Sequence, residues 1–454
     1  MSTKLINLMR TSAVELPPID DPAFAQAFDH LGDYKVVMIG DGSHGTSEFY
    51  HARAEITKFL VEKHGFNIVA AEADWPDAEH IDRYVRQRPG PKAPIDSMRE
   101  PAFQRFPTWM WRNKEVQDFV HWLRDFNAKL EMPERTGFYG LDLYSMGRSL
   151  DEVVRYLDRV DPRMATIARE RYATLMPWVE EPQQYGLAAS YYDSDLASVE
   201  HDVIQMLVDL LEKRLEYAAR MDDGEEFHSA EQNANIVADA ERYYRSMYSI
   251  ADDSWNLRDS HMFSTLERLL LAKGGMISKA VVWAHNSHIG DARYTSMGRG
   301  RDELNIGQLA RETFGRDKVA LIGCGSHTGT VAASHDWGDD MQIMNVNPSR
   351  NDSWEFLAHK TGLPSFYLPL REGIANKDLL AEIEEESPRL ERFIGVIYRP
   401  LTERQSHYSS AWIKDQLDGY IWFEDSQAVR LLEPQEKIQP KTALGVDETY
   451  PFAL

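Results

Sequence analysis

The chain has 454 residues, of which 43% are hydrophobic and 27% are charged, which is typical of a globular protein large enough for two to three domains. Its formal net charge of -23 disfavours a nucleic-acid partner and an anionic membrane surface, because both attract basic proteins. No apolar run is long enough to span a membrane, and the single cysteine, Cys324, excludes an internal disulfide and a multi-cysteine metal site. Because the N-terminal residues lack a secretory apolar core, we expect a cytoplasmic location.

The first predicted unit is strand, helix, strand. Val36–Ile39 and Asn67–Ala71 are short apolar runs, and between them apolar residues recur at helical spacing from Phe49 to Leu60. In a right-handed βαβ unit both strands point the same way, so the turns that leave them open on one edge of the sheet. Open α/β sheets bind ligands at that edge.

Polar residues follow each of these strands. Asp41 and His44 lie in the turn after the first strand, and Glu72 and Asp74 are predicted in an acidic turn after the second. A histidine beside carboxylates at a ligand-binding edge is typical of proton transfer. The pattern therefore favours an enzyme.

A third strand, Lys279–Ala284, runs directly into the sequence HNSHIGD. If this strand is a parallel neighbour of the first two, His285 and His288 reach the same edge. Three polar turns would then converge on one cleft.

The rest of the chain suggests an α/β core interrupted by helices. A helix is predicted over Lys114–Leu130, and the strand GFYGLD ends at Asp142. From about residue 149 to 274 strand runs disappear and amphipathic stretches dominate, which predicts an inserted all-helical cap. Residues 1–148 and 275–454 would form a three-layer α/β/α sandwich with a mostly parallel sheet.

Further strands are predicted at KVALIGCG, FIGVIY and GYIWFE, with longer loops between residues 323 and 365. The glycine-rich segment GCGSHTGT lacks the lysine of a nucleotide P-loop and the spacing of a dinucleotide fingerprint. GxSxG is absent, which excludes the usual nucleophile-elbow serine hydrolase.

Several long segments together resemble the erythromycin esterase family. They are GDGSHGTSEFYHARAEITKFLVEKHGFNIVAAEADWPDA, FQRFPTWMWRN, GFYGLDLYSM, WNLRDSHM, VVWAHNSHIGDAR, ELNIGQL and IYRPLTERQSHY. The resemblance extends from about residue 20 to residue 425. It implies an α/β/α fold with inserted helices and hydrolysis of an ester, without a covalent acyl-enzyme serine and without an obligatory metal. The family contains macrolide-inactivating esterases and a larger branch described as succinoglycan biosynthesis proteins.

The resemblance also assigns residues. The family's proposed histidine base falls on His44, three residues after the acidic Asp41, and the arginine of the same motif falls on Arg53. The carboxylate after the second strand falls on Glu72, and the HxxH pair falls on His285 and His288. The macrolide-inactivating members carry Glu where this chain has the shorter Asp41, and HGTSEFYHAR and FPTWMWRN are closer to the succinoglycan branch.

The residue types predict a mechanism for a small-molecule ester substrate with no cofactor. His44 would take a proton from the attacking water, while Glu72 or Asp41 orients its ring. His285 or Arg53 would face the oxyanion, and His288 would protonate the leaving alkoxide or orient its neighbour.

Two alternatives use the same cleft. His44, Glu72, His285 and His288 offer three nitrogens and one oxygen, so they could instead hold a divalent metal that activates water. A binding or accessory protein of polysaccharide biosynthesis without turnover is the other alternative, since aromatic rings suit sugar stacking. The candidate substrate-binding residues are Asp74, Trp75, Trp109, Arg258 and His407.

Overall fold

A computed structural model describes residues 3–90, 92–97, 101–190, 199–218, 224–248 and 251–432. The strands are β1 (Val14–Glu15), β2 (Val36–Ile39), β3 (Ile68–Asp74), β4 (Gly137–Asp142), β5 (Ala280–Trp283), β6 (Val319–Ala333), β7 (Gln342–Val346), β8 (Ser365–Pro369), β9 (Arg389–Arg392), β10 (Tyr408–Ala411) and β11 (Gly419–Ser426).

The helices up to the end of the long helical stretch are α1 (Thr3–Ser12), α2 (Pro22–Gln26), α3 (Ser47–His64), α4 (Trp75–Val85), α5 (Lys114–Asn127), α6 (Met146–Val160), α7 (Pro162–Tyr172), α8 (Pro182–Ser190), α9 (Val199–Glu212), α10 (Arg214–Ala218), α11 (Glu225–Ser246) and α12 (Ala251–Ala272). The later helices are α13 (Asn286–Ile289), α14 (Ser296–Arg301), α15 (Ile306–Phe314), α16 (Trp354–Lys360), α17 (Lys377–Glu386), α18 (Glu403–Ser406) and α19 (Ile413–Gln416). None of the helices in the described ranges is both long and apolar enough to cross a membrane.

The chain forms two compact units. The first contains residues 1–72, 81–138 and 269–454, and the second contains residues 73–80 and 139–268. The sequence analysis predicted the insertion at 149–274, whereas the second unit runs from residue 139 to residue 268 and also includes residues 73–80.

A central sheet has the strand order β1-β8-β11-β6-β2-β5-β3-β4, and β7 pairs with β6 at the side of this path. The run from β11 through β6, β2 and β5 to β3 is parallel. β8 pairs antiparallel with β11 and with β1. The predicted α/β class with a mostly parallel sheet is therefore confirmed.

The three strands of the predicted cleft are neighbours, with β5 between β2 and β3. Val36 pairs with Ala280, and Ala280 also pairs with Ile68, so the three strands start level. Their residues are all buried, as expected for a parallel sheet covered on both faces. The polar turns after β2 and β5 therefore meet beside the last residues of β3, which continues past the ends of its two neighbours.

Some predicted elements differ from the structure. β3 continues through Glu72 and Asp74, so the predicted acidic turn is wrong, because both carboxylates are buried within the strand. The GCGSHTGT segment belongs to the 15-residue strand β6 and is not a loop, because its backbone pairs with β11 along most of its length. FIGVIY is buried but makes only isolated bridges, at Ile394 and Ile397. An apolar run in a sequence predicts that the segment is buried. It does not by itself predict that the segment forms the hydrogen bonds of a strand.

The second unit is helical beyond the end of β4. Helix α11 packs against α6, α8 and α9, and α7 packs against both α6 and α9. Its core contains Leu150, Val153, Tyr172, Val203, Met206, Leu210, Val237 and Tyr244, all at most 2% exposed. The amphipathic stripes of this region are thus used for packing between helices.

Candidate active site

The turn after β2 carries Asp41 and His44 and has a backbone that requires glycine at one position. Gly45 has φ of 70°, and a Cβ at this residue would lie 2.3 Å from the carbonyl oxygen of Ala332. The backbone N–H of His44 donates to Ile394 O at 2.9 Å, and Ile394 N–H donates to Gly42 O at 2.9 Å. These contacts hold the turn at the edge of the sheet.

The imidazole of His44 lies between two carboxylates. Its Nδ1 is 3.4 Å from Asp41 Oδ1 and 3.5 Å from Asp41 Oδ2, whereas its Nε2 is 4.0 Å from Glu72 Oε1. All three side chains are buried. Asp41 is therefore the carboxylate that contacts Nδ1 and can fix the ring tautomer, while Nε2 faces the space beside Glu72.

Arg53, on the first turns of α3, anchors Asp41. Its Nη2 lies 3.1 Å from Asp41 Oδ2, and its guanidinium lies over the rings of Tyr50 and Trp283 at 4.3 and 5.5 Å. Burial alone would raise the pKa of the Asp41 carboxyl, but the charges of Arg53 and His44 outweigh it and lower that pKa. Asp41 is consequently a buried carboxylate that stays ionised.

Glu72 connects the turn after β5 to this cluster. Glu72 Oε2 accepts the backbone N–H of His285 at 2.9 Å, and Oε1 lies 3.3 Å from His288 Nε2. Trp111 Nε1–H donates to the carbonyl of Glu72 at 3.1 Å. The Glu72 carboxylate thus contacts the turn and the short helix that follow β5, and it faces both His44 and His288.

His285 lies beside His44, with ring centroids 4.8 Å apart. Its Nδ1 caps helix α13 by accepting the backbone N–H of Ser287 at 3.4 Å, and Ser287 Oγ is 2.8 Å away. Since Nδ1 accepts, the ring proton belongs on Nε2. Burial, followed by the neighbouring His44, lowers the pKa of His285 to about 3, so this ring is a neutral donor at neutral pH.

Asn286, between the two histidines, is a supporting residue that the sequence analysis did not identify. Its backbone N–H donates to Asp41 O at 2.8 Å, and its side chain makes reciprocal bonds with the backbone of Cys324 at 2.9 and 3.2 Å. It therefore ties the turns after β2 and β5 to the interior of β6. Its position inside HNSH was the available sequence signal.

Glu391, on β9, accepts a hydrogen bond from Asn286. The sequence did not predict this contact, because about a hundred residues separate the two. Asn286 Nδ2 donates to Glu391 Oε1 at 3.1 Å. Burial, together with the nearby carboxylate of Glu355, raises the pKa of Glu391 to about 8. A protonated carboxyl therefore lies directly behind the histidine turn.

Two predicted substrate-binding residues lie in the first unit but are held by other partners. Trp109 is buried, with its ring edge-on to Phe106 at 5.1 Å. His407 Nε2 accepts the backbone N–H of Arg399 at 2.9 Å, and its carbonyl accepts Phe393 N–H at 2.8 Å. His407 therefore shapes the loop before β10.

The other three belong to the second unit or its first residues. Arg258 makes a two-pronged ion pair with Asp142 of the same unit, at 3.0 and 2.7 Å. Trp75 stacks on Tyr139 with centroids 5.9 Å apart. Asp74 is buried at the end of β3.

The structure thus brings together all six residues that were predicted to be catalytic, namely Asp41, His44, Arg53, Glu72, His285 and His288. Ion pairs run from Arg53 through Asp41, His44 and Glu72 to His288. His285 joins them through its backbone N–H, which donates to Glu72, and through its ring beside His44. Within the described ranges, one group of three or more His, Asp, Glu or Cys side chains has all its ligand atoms within 4.8 Å of one another. It consists of His327, His359 and Glu424 and lies outside this cluster.

Known proteins resemble this chain over most of its length. The profile of the erythromycin esterase family matches residues 61–426. YbfO of Bacillus subtilis, a protein provisionally named a hydrolase, is 21% identical over 411 residues, which cover 86% of this chain and 83% of YbfO. Erythromycin esterase type II of Escherichia coli is 25% identical over 119 residues, 26% of each chain.

Solved structures share the fold at low identity. A Bacillus cereus protein superposes with a TM-score of 0.77 at 16% identity, covering 95% of this chain and 99% of its own. A succinoglycan biosynthesis protein gives a TM-score of 0.74 at 17% identity, covering 94% and 97%. A histidine-to-asparagine mutant of erythromycin esterase EreC in its open conformation gives 0.63 at 15% identity, covering 91% and 96%. The match to the family profile supports a hydrolase of esterase type as the general class, and the chain belongs to the erythromycin esterase family.

Proposed function

We propose that this protein hydrolyses a carboxylic ester of a small molecule, with His44 as the general base that activates water. The observation that carries the proposal is the environment of the His44 ring, with Asp41 at 3.4 Å from Nδ1 and Glu72 at 4.0 Å from Nε2. A histidine oriented by a buried carboxylate is the arrangement that general-base catalysis requires. The ester class comes from the family and from the names of its relatives.

In the proposed reaction His44 Nε2 removes a proton from water as the water oxygen attacks the ester carbonyl. The imidazolium that forms is stabilised by Asp41, which Arg53 keeps ionised. The tetrahedral intermediate then expels the alcohol oxygen, and the C–O bond breaks as that oxygen receives a proton. The products are a carboxylic acid and an alcohol, and no covalent acyl-enzyme is formed.

His285 is the proposed donor to the oxyanion. A neutral ring whose Nδ1 accepts from Ser287 presents its proton on Nε2, next to the ring of His44. Removal of one such donor costs about 10²–10³ in kcat in enzymes where it has been tested. The neutral form matters, because a histidine that stays uncharged can donate to the oxyanion without transferring its own proton.

Glu72 and His288 are the proposed second acid–base pair. His288 Nε2 lies 3.3 Å from Glu72 Oε1, so a proton on this nitrogen is held by the carboxylate. His288 would deliver a proton to the leaving alkoxide, and the proton that His44 took from water would then pass to His288 through the carboxylate of Glu72, which faces both rings. Glu72 is also fixed by the His285 backbone, which keeps its position independent of substrate.

The test is hydrolysis of a panel of 4-nitrophenyl esters and macrolactones by the purified chain and by His44→Ala. We expect turnover of at least one ester, reduced about 10²–10⁴-fold in the variant. His51→Ala is the matched control, because His51 lies on α3 but faces Asp20 and Glu55, outside the cluster. Activity of His44→Ala equal to that of His51→Ala would refute the assignment of the base. Saturable binding of every ester without product would favour the non-catalytic alternative.

A further inference from the structure

We propose that His327, His359 and Glu424 form a binding site for a divalent first-row transition-metal cation, with Zn²⁺ as the best-matched ion, separate from the candidate active site. The three side chains come from β6, α16 and β11, all within the first unit. The ligand atoms of the three side chains lie within 4.8 Å of one another.

Strand register is the first reason that these residues meet. β6 and β11 are parallel neighbours in which Ser326 pairs with Phe423 and Thr328 pairs with Asp425. His327 and Glu424 therefore occupy the intervening pair. Because side chains alternate across a sheet, paired neighbours in the same register lie on the same face. The backbone thus places one imidazole and one carboxylate side by side.

Helix α16 supplies the third ligand from its last turn. The rings of His359 and His327 stack with centroids 3.7 Å apart and planes at 9°. His359 Nδ1 lies 2.6 Å from Glu424 Oε1. The ligand atoms are thus close together, and side-chain rotations that tilt the two stacked rings out of parallel would bring them to metal–ligand distances of about 2.0–2.2 Å.

The donor set matches the chemistry of the proposed ion. Two imidazole nitrogens and one carboxylate oxygen are ligands that zinc accepts, and water would complete a tetrahedral site. Glu424 Oε2 is buried, and among the described residues no group donates a hydrogen bond to it. A cation would satisfy this oxygen, whereas the ion pair between His359 and Glu424 alone leaves it without a partner.

The surroundings orient the ligands and leave the ion a route of entry. The backbone N–H of Ser349 donates to His327 Nδ1 at 3.3 Å, and Ser349 Oγ lies 2.7 Å from the same nitrogen. Binding of a metal at Nε2 would move the ring proton to Nδ1, where Ser349 Oγ can accept it. Arg392 Nη2 donates to His327 O at 3.0 Å and fixes the strand. The side chains of His359 and Glu424 are 27% and 29% exposed, so solvent reaches the site.

A bound cation would join α16 to two strands of the sheet, so it should stabilise the folded chain. The experiment measures Zn²⁺ binding by equilibrium dialysis on protein without a histidine tag, together with the thermal midpoint with and without Zn²⁺. We expect one equivalent of Zn²⁺ and a higher midpoint. Both effects should disappear in His359→Ala and weaken in Glu424→Gln, a conservative variant that keeps the side-chain volume.

His64→Ala is the matched control, because His64 forms a partly exposed pair with Asp29 at 2.9 Å but belongs to no three-ligand group in the described chain. It should bind Zn²⁺ as the parent chain does. Anomalous diffraction at the zinc edge should give a peak between His327, His359 and Glu424. No bound zinc, or a peak at His44 and His288 that persists in His359→Ala, would overturn the proposal. Loss of ester hydrolysis is not used as a readout, so failure of this site and failure of the proposed activity are distinguishable.

Discussion

The guanidinium of Arg53 lies 3.1 Å from Asp41, and both side chains are 1% exposed. This buried pair helps to orient the His44 ring, because Asp41 is also the carboxylate that contacts His44 Nδ1. Two buried charges cost free energy when they leave water and recover it only from each other. The pair therefore links the stability of the fold to the orientation of the proposed base.

Arg53→Met should destabilise the protein by about 3–5 kcal/mol, because it leaves the Asp41 carboxylate buried without its cation. Urea unfolding measures the change in the free energy of unfolding. The double variant Arg53→Met/Asp41→Asn should recover part of this loss, since it removes the unpaired charge. A double variant as unstable as the sum of its single changes would show that the pair does not act as a unit.

Ser287→Ala should lower kcat for a cleaved ester by about tenfold, the value of roughly one lost hydrogen bond. The hydroxyl lies 2.8 Å from His285 Nδ1, and without it the ring is held only by the longer bond from the Ser287 backbone. KM should change less than kcat, because the bond orients a donor to the oxyanion. Ser43→Ala, in the turn after β2, is a comparison variant in which the tautomer of His285 is untouched. An unchanged kcat in Ser287→Ala would remove Ser287 from the mechanism.

His285 should make stability fall on acidification. The folded ring binds a proton only near pH 3, while the unfolded ring does so near its ordinary pKa of 6.5. Between these values the unfolded chain binds more protons, so the free energy of unfolding decreases by up to about 1.4 kcal/mol per pH unit as pH falls. Urea unfolding at about pH 7 and about pH 5 should show a smaller decrease in His285→Asn than in the parent chain. Equal slopes in the two proteins would contradict a depressed pKa.

The raised pKa of Glu391 should make the protein less stable as pH rises, which is opposite to the effect of His285. Its folded carboxyl keeps its proton up to about pH 8, while the unfolded group ionises near 4.5. Its contribution to stability is complete below pH 4.5 and is lost as pH rises to 8, by up to about 1.4 kcal/mol per unit. Glu391→Gln keeps an oxygen for Asn286 Nδ2 but does not ionise, so it should gain stability relative to the parent chain as pH rises. A constant difference in the free energy of unfolding across this range would show that Glu391 does not titrate there.

Much of the fold was predictable because its signals are local. The apolar run Val36–Ile39 coincides with β2, the helical spacing after it lies within α3, and GFYGLD is β4. The placement of polar residues directly after buried strands predicted one shared edge, and β2, β5 and β3 are the parallel neighbours that this required. These inferences depend on periodicity and on the handedness of βαβ units, which short segments already contain.

The roles of the two carboxylates were not predictable. The sequence analysis left Glu72 and Asp41 as alternative partners of His44, and the coordinates place Asp41 at Nδ1 and Glu72 nearer His288. The reason is that β3 continues through Glu72, which aims this side chain at the turn after β5. A strand's last residue is set by its neighbours in the sheet, and hydrophobic pattern alone does not reveal it.

The sequence by itself determined the elements, the parallel α/β core and the residue types that meet at its edge, because hydrophobic periodicity and turn chemistry act over a few residues. Tertiary structure alone decided which atoms face one another. Glu391 reaches Asn286 across about a hundred residues, and His327 meets Glu424 through the register of β6 against β11. Register and helix docking depend on packing between distant segments, and a single sequence carries no local signal for either.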